Sequence, residues 1–354
     1  MQKIPAAKTT MLALLLLTIL LLSSCTTVDQ PSEKDLLQKA ATLSEEKKYD
    51  QTLQTLDQTI KLYPKSAQAY RKRALVYMDT GQTKEALSDL DQTLTLDPKN
   101  HGAYFLRSVL CMQTGQTQKA LSDLDKAIEL EQKQAHYYNN RAILYVSLGQ
   151  YGKALADYDK ALELKPGEHT YWKGLAAVHF LQGDLQKTID DLNSAILLSP
   201  LPEYFSDRSV AYNLMGQYDK ALTDVNIAIA AQPDIAVYYT NRGGVYIGLD
   251  EYPKALDDFN KALTLDPENV SAYAMRGNTY FHLGDNAKAM QDTNTALALA
   301  PNTALAYSVR GHIYYKQKDY DKAKADYKRS LELDPNDWVA AENLKEIQEL
   351  TKLP

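Results

Sequence analysis

The chain has 354 residues, 45% hydrophobic and 24% charged, a globular balance that excludes disordered, collagen-like and multi-span membrane chains. Formal charge is -6 with no basic run, so a polyphosphate backbone is a poor partner and nucleic-acid binding is disfavoured. Two cysteines, Cys25 and Cys111, are too few for a disulfide scaffold, while 25 tyrosines against 5 phenylalanines ask for a motif with built-in tyrosine positions.

The first element is a leader. Lys3 and Lys8 precede an apolar stretch from Met11 to Leu22, broken only by Thr18. As a helix it would span roughly 18 Å, short of the roughly 30 Å hydrocarbon core, which reads as a secretion signal and not a spanning helix. Leu22-Ser23-Ser24-Cys25 resembles the lipobox of bacterial lipoproteins. The resemblance implies cleavage after residue 24, a diacylglycerol on the Cys25 thiol and a palmitate-type acyl chain on its new amine. The alternative is an ordinary cleaved signal peptide with an incidental cysteine. Thr26 stands where an aspartate would hold a lipoprotein at the inner membrane, so the resemblance implies the outer membrane, on its periplasmic or surface face. Residues 25–32 form the lipidated cysteine and a linker whose reach, at most about 25 Å, keeps the folded part near the bilayer.

From Glu33 onward the chain repeats itself. Pro64, Pro98, Pro166, Pro200, Pro233, Pro267, Pro301 and Pro335 keep a 34-residue frame with one 33-residue interval. Gly81, Gly115, Gly149, Gly183, Gly216 and Gly284 recur in it, as do Ala86, Ala120, Ala154, Ala221, Ala255, Ala289 and Ala323. Each unit predicts two short amphipathic helices: apolar residues fall at three-to-four spacing, glycine permits the turn, and proline stops the second helix. Alanine suits close helix approach, and tyrosine fills the gaps.

These features resemble the tetratricopeptide repeat, whose pattern is an aromatic, small residues, a tyrosine, a glycine turn, alanine, aromatic, alanine and a closing proline. Tyr273, Gly277, Tyr280, Gly284, Ala289, Ala296 and Pro301 carry it in one unit. The expectation is an all-α, right-handed α-solenoid of nine helix-turn-helix units: 33–66, 67–100, 101–134, 135–168, 169–201, 202–235, 236–269, 270–303 and 304–337. The first is the weakest match, with Lys47 in place of the turn glycine. Residues 338–354 read as a capping helix, polar on its outer face, as a stacked repeat requires. Nothing is left over for a catalytic domain.

Seven units carry an arginine followed sixteen residues later by an aspartate: Arg73 and Asp89, Arg107 and Asp123, Arg141 and Asp157, Arg208 and Asp224, Arg242 and Asp258, Arg276 and Asp292, Arg310 and Asp326. A structural ion-pair ladder is expected, with pairing inside each unit leaving only Asp191 unmatched; an anion-binding stripe is the alternative. The fifth unit is the exception, with Leu175, His179 and Thr188 at motif positions and a shortened Pro200-Leu201-Pro202 link.

In the resembling family, first helices face a groove that holds peptides or partner helices. By offset, the groove residues here are Met78, Phe105, Met112, Asn139, Val146, Lys173, Phe180, Ile247, Phe281, His282 and Tyr315, an apolar-rich set suited to an apolar peptide stripe. Packing against neighbouring helices is the competing account of the same residues. Asn140 and Asn241 share an offset used for backbone-binding asparagines in some relatives. Six scattered histidines show no ligand spacing, and no nucleophile, zinc or phosphate-loop motif occurs, so no metal, cofactor or catalysis is expected. Cys111 reads as a small buried hydrophobe. The functional expectation is a lipid-anchored scaffold or adaptor of the bacterial cell envelope that binds protein or peptide partners and is compatible with homo-oligomers. The alternative is an enzyme accessory, or a binder of glycans or small molecules.

Overall fold

The structure is a computed structural model and describes residues 30–350; Cys25 and the leader lie outside them. Among the described residues every regular element is a helix. The chain divides into two compact units, 1–133 and 134–354. The first contains three hairpins: α1 (Glu33–Glu45) with α2 (Tyr49–Leu62), α3 (Ala67–Asp79) with α4 (Thr83–Leu96), and α5 (His101–Gln113) with α6 (Thr117–Leu130). The second contains six: α7 (Ala135–Ser147) with α8 (Tyr151–Leu164), α9 (His169–Leu181) with α10 (Leu185–Leu198), α11 (Pro202–Leu214) with α12 (Tyr218–Ala231), α13 (Ala236–Gly248) with α14 (Tyr252–Leu265), α15 (Val270–His282) with α16 (Asn286–Leu299), and α17 (Ala304–Lys316) with α18 (Tyr320–Leu333). A last helix, α19 (Trp338–Leu350), packs on α18. Within each unit the hairpins stack in sequence order, second helix against the next first helix, as an α-solenoid does.

Local chemistry sets the helix boundaries. Ser66, Asn100 and Asn269 cap first helices, their side-chain oxygens accepting from Ala69, Ala103 and Ala272 N–H at 3.1, 3.1 and 2.9 Å. Asp184, Asp285 and Asp319 do the same for second helices. Between the helices of a hairpin the chain passes through the left-handed region, with Gly81, Gly115, Gly149, Gly183, Gly216 and Gly284 at φ between 68° and 82°. Lys47, Asp250 and Lys318 adopt the same conformation at 56°, 59° and 63° in the hairpins that lack the glycine. The link from α10 to α11 is one residue shorter than the others, and Pro202 opens α11 at a position where a missing N–H costs nothing.

Small residues decide how closely the two helices of a hairpin approach. Ala86, Ala120, Ala154, Ala221, Ala255, Ala289 and Ala323, all on second helices, are fully buried. In the first and fifth hairpins Thr52 and Thr188 replace that alanine. Each is buried and returns its hydroxyl to the carbonyl four residues back at 2.9 Å, so no polar atom is orphaned. In two hairpins a large ring enters opposite a glycine. A Cβ on Gly243 would lie 2.6 Å from Phe259, and one on Gly311 2.8 Å from Tyr327. Cys111 is fully buried, and burial pushes its thiol pKa up.

Candidate binding faces and the arginine fork

Each ladder arginine sits at the middle of a first helix, and its guanidinium serves several partners at once. Its Nε and Nη2 donate to both carboxylate oxygens of the aspartate sixteen residues on: 2.7 and 2.8 Å for Arg73 to Asp89, and 2.8 and 2.7 Å for Arg242 to Asp258. The same fork joins Arg107 to Asp123, Arg141 to Asp157, Arg208 to Asp224, Arg276 to Asp292 and Arg310 to Asp326. The aspartates are buried and the guanidinium groups half-buried, and the hydrogen bonds to each carboxylate hold the arginine more firmly protonated than usual. This planar two-bond geometry is one that lysine cannot reproduce.

The remaining nitrogen, Nη1, reaches back to the second helix of the preceding hairpin. Arg73 meets Asp57 and Arg107 meets Asp91, both at 2.6 Å; Arg208, Arg242, Arg276 and Arg310 meet Asn193, Asn226, Asn260 and Asn294 at 2.6 to 2.9 Å. One side chain thus ties a hairpin to itself and to its predecessor. The sequence held the signal for this second acceptor row: an Asp or Asn recurs two residues after each ladder aspartate and gives way to Lys328 in the last hairpin, which no further arginine follows.

The tyrosine excess has its place here. Arg73 lies over Tyr70 and Tyr77 at 5.6 and 5.8 Å, Arg242 over Tyr239 and Tyr246 at 5.6 and 6.0 Å, and Arg276 over Tyr273 and Tyr280 at 5.5 and 6.0 Å. These rings stand three residues before and four after the arginine, on its own helix face. A lysine from the second helix covers the later ring, as Lys254 does on Tyr246 at 5.4 Å and Lys288 on Tyr280 at 5.1 Å. Sequence reasoning assigned the tyrosines to gap filling and did not find this role.

The fifth hairpin is wired differently. Leu175 occupies the arginine position and is buried, and Asp191 instead takes the Nδ1 of His179 at 2.7 Å. Burial, the largest cause, pushes the Asp191 carboxyl above its ordinary range against the pull of His179. Trp172 replaces the earlier tyrosine, its Nε1–H donating to the Pro166 carbonyl at 3.3 Å.

The groove residues read from the sequence divide into four groups. Lys173 and Phe180 line a cleft of about 350 Å³ between α9 and α11, floored by Ala176, Thr188 and Leu192 and walled by Leu181 and Val210. Phe281, His282 and Tyr315 share a second cleft of about 650 Å³ beside α19, with His312, Lys316 and Trp338. There Lys316 Nζ lies 4.0 Å from the Phe281 ring centre, Phe281 stacks on His312 at 5.6 Å, and the Tyr315 hydroxyl is bound to Glu346, which pushes its pKa up to about 12. Met78 and Ile247 instead pack half-buried against the cores of their hairpins. Phe105, Met112, Asn139 and Val146 are half-buried and line neither cleft. Asn140 and Asn241 are occupied within the fold, donating to the His136 carbonyl at 2.7 Å and to Ser206 Oγ at 2.9 Å. Among the described residues no three His, Cys, Asp or Glu side chains cluster as a metal site, and no helix is long and apolar enough to cross a membrane.

Comparison with known families decides the repeat type. Models described as "Tetratricopeptide repeat" match residues 39–111, 101–134, 135–168, 236–269, 259–291 and 304–337, and one described as "TPR repeat" matches 277–318. The chain carries tetratricopeptide repeats. Among solved structures, a chain of the APC/C hetero-tetramer Cut9-Hcn1 superposes with a TM-score of 0.58 at 19% identity, over 84% of this chain and 58% of that one. A tetratricopeptide repeat protein from Parabacteroides merdae matches at 22% identity over 80% of this chain and 99% of its own, with a TM-score of 0.44. YrrB, described as a TPR protein with an unusual peptide-binding site, matches at 25% identity over 52% of this chain and 95% of its own, with a TM-score of 0.40. A comparison with curated proteins finds no match. The likeness to Cut9-Hcn1 is one of fold, and a tetratricopeptide fold is a scaffold for protein interaction.

Proposed function

We propose that this protein is a lipid-anchored scaffold of the bacterial cell envelope, without enzymatic activity of its own, that binds peptide or protein segments on the exposed faces of its first helices. The observation that carries the reading is the pair of open clefts in the second unit, both lined by first-helix residues that the repeat's offset selects: Lys173 and Phe180 in one, Phe281, His282 and Tyr315 in the other. Such sites need several contacts on a rigid support, and arginine forks tie α11, α15 and α17, which border the clefts, to the second helices around them. The Leu22-Ser23-Ser24-Cys25 sequence supports attachment at Cys25, where several acyl chains would hold the protein firmly at the outer membrane. Confinement near the bilayer raises the effective concentration of envelope partners and strengthens weak contacts.

The test is site-specific photo-crosslinking in cells from Phe180 and Phe281, with an exposed second-helix position such as Lys261 as control. The scaffold reading expects defined polypeptide adducts from the two cleft positions and none from the control. Equal, diffuse adducts from all three would sink it. Radiolabelled palmitate should enter the wild-type chain and not Cys25→Ala, and membrane fractions should lose the variant; label retained in Cys25→Ala would end the anchor assignment.

A further inference from the structure

The cleft between α9 and α11 combines exposed apolar side chains with charges of both signs at its rim. Small Ala177 lines it, at an offset filled by Leu75, Val109, Ile143 and Val210 in four other hairpins and by Ala41, Gly244, Asn278 and His312 in the remaining four. Phe180 and Leu181 on its wall are 37% and 53% exposed, leaving apolar surface in water until something covers it. The rim is charged on both sides. Lys173 stands on α9, while Asp207 on α11 is the one acid in a row otherwise occupied by Gln38, Lys72, Leu106, Asn140, Gly174, Asn241, Met275 and Val309. Asp207 is exposed on the rim, and among the described residues no donor is bonded to its carboxyl. An open, unpaired carboxylate at the edge of an apolar cleft attracts an incoming cation.

We propose that this cleft receives one bulky apolar side chain of an extended partner segment, with a basic residue of the segment over Asp207 and an acidic one over Lys173. The inference rests on the scaffold reading and narrows it to a sequence class: acidic, large apolar and basic residues in close succession. Apolar burial supplies the attraction, and the two rim charges, on different helices, set the direction in which the segment crosses. A segment with like charges on both sides of its apolar residue meets repulsion at one end.

The experiment uses the full exported chain and fluorescein-labelled twelve-residue peptides of one neutral background, with anisotropy as the readout. The central triplets are Glu-Phe-Arg, Arg-Phe-Glu, their alanine analogues and Glu-Phe-Glu. One of the two mixed-charge orders should bind about tenfold or more tighter than its alanine analogue, as burial of a phenylalanine implies, and tighter than Glu-Phe-Glu. Ala177→Leu, at an exposed position that keeps the helix intact, should abolish that preference, and Asp207→Lys should transfer it to Glu-Phe-Glu. Equal binding of phenylalanine and alanine peptides, or an unchanged preference in Ala177→Leu, overturns the inference. If Phe281 crosslinks persist in either case, only this cleft assignment fails; loss of adducts from both clefts removes the scaffold reading itself.

Discussion

The fifth and seventh hairpins are built from helices of the same lengths and differ in how they are locked. In α13–α14, Arg242 binds Asp258 twice, reaches Asn226 on the preceding hairpin and lies against Tyr239 and Tyr246, while Gly243 admits the Phe259 ring. In α9–α10 the arginine is Leu175, Asp191 is bonded to His179, and among the described residues no guanidinium donates to Asp159, sixteen residues before Leu175. The arginine is a connector as well as a core element. Where it is absent, the hairpin keeps its own fold through Leu175 and His179 but loses one tie to its neighbour. The α9–α11 cleft opens in that same stretch.

The contrast is broken most severely at Arg242. Arg242→Met leaves Asp258 buried without a partner and should cost about 3 kcal/mol, the lower end for a disrupted buried pair because the guanidinium is partly exposed. Urea unfolding read through hydrogen exchange of α13–α14 amides measures this, and a loss below about 1 kcal/mol would show that the fork is incidental. Gly243→Ala tests the packing half of the same hairpin. Its Cβ would press on Phe259, and overpacking of this kind costs about 1 to 3 kcal/mol; the fifth hairpin already has Ala176 facing Leu192 and needs no such space.

Two smaller effects sharpen the comparison. Lys318 holds a left-handed conformation that glycine occupies in most other hairpins, so Lys318→Gly should raise stability by about 1 kcal/mol or less, seen as a higher melting temperature. The last is pH dependence. A carboxyl whose pKa is raised by folding stabilises the fold while protonated, and that contribution is lost as pH climbs through the raised value. Burial raises Asp191 in this way, so between about pH 4, the ordinary aspartate value, and neutrality, wild type should lose α9–α10 protection relative to Asp191→Asn. Parallel pH profiles for the two proteins would contradict the assignment.

Much of this architecture is legible in the sequence because it is periodic. Proline, glycine and alanine at a constant interval specify where helices stop, turn and touch, and those constraints act through backbone conformation and side-chain volume within a few residues. The arginine and aspartate sixteen residues apart are visible for the same reason. What the spacing could not show is how one guanidinium divides its donors. Nη1 reaches an acceptor in the preceding hairpin, such as Asn226, and the flanking tyrosines engage through ring faces, which a count of polar and apolar positions does not register. The substitution of His179 for arginine as the partner of Asp191 was also hidden, since the two lie only twelve residues apart and match no repeated interval. Of the groove residues, offset alone could not separate Phe180, exposed on the α9–α11 cleft, from Met78, which packs half-buried on a core cluster.

Arginine forks that set how tightly the stack is held should leave their mark hairpin by hairpin. Native-state hydrogen exchange tests this most directly, comparing α9–α10 with α13–α14 in wild type and in a Leu175→Arg, His179→Tyr double variant, where the introduced arginine has Asp191 and Asp159 as acceptors. The account predicts faster exchange in wild-type α9–α10 than in α13–α14, and a gain in α9–α10 protection of about 1 kcal/mol in the double variant. Equal protection of the two hairpins in wild type, together with no gain in the variant, would contradict it.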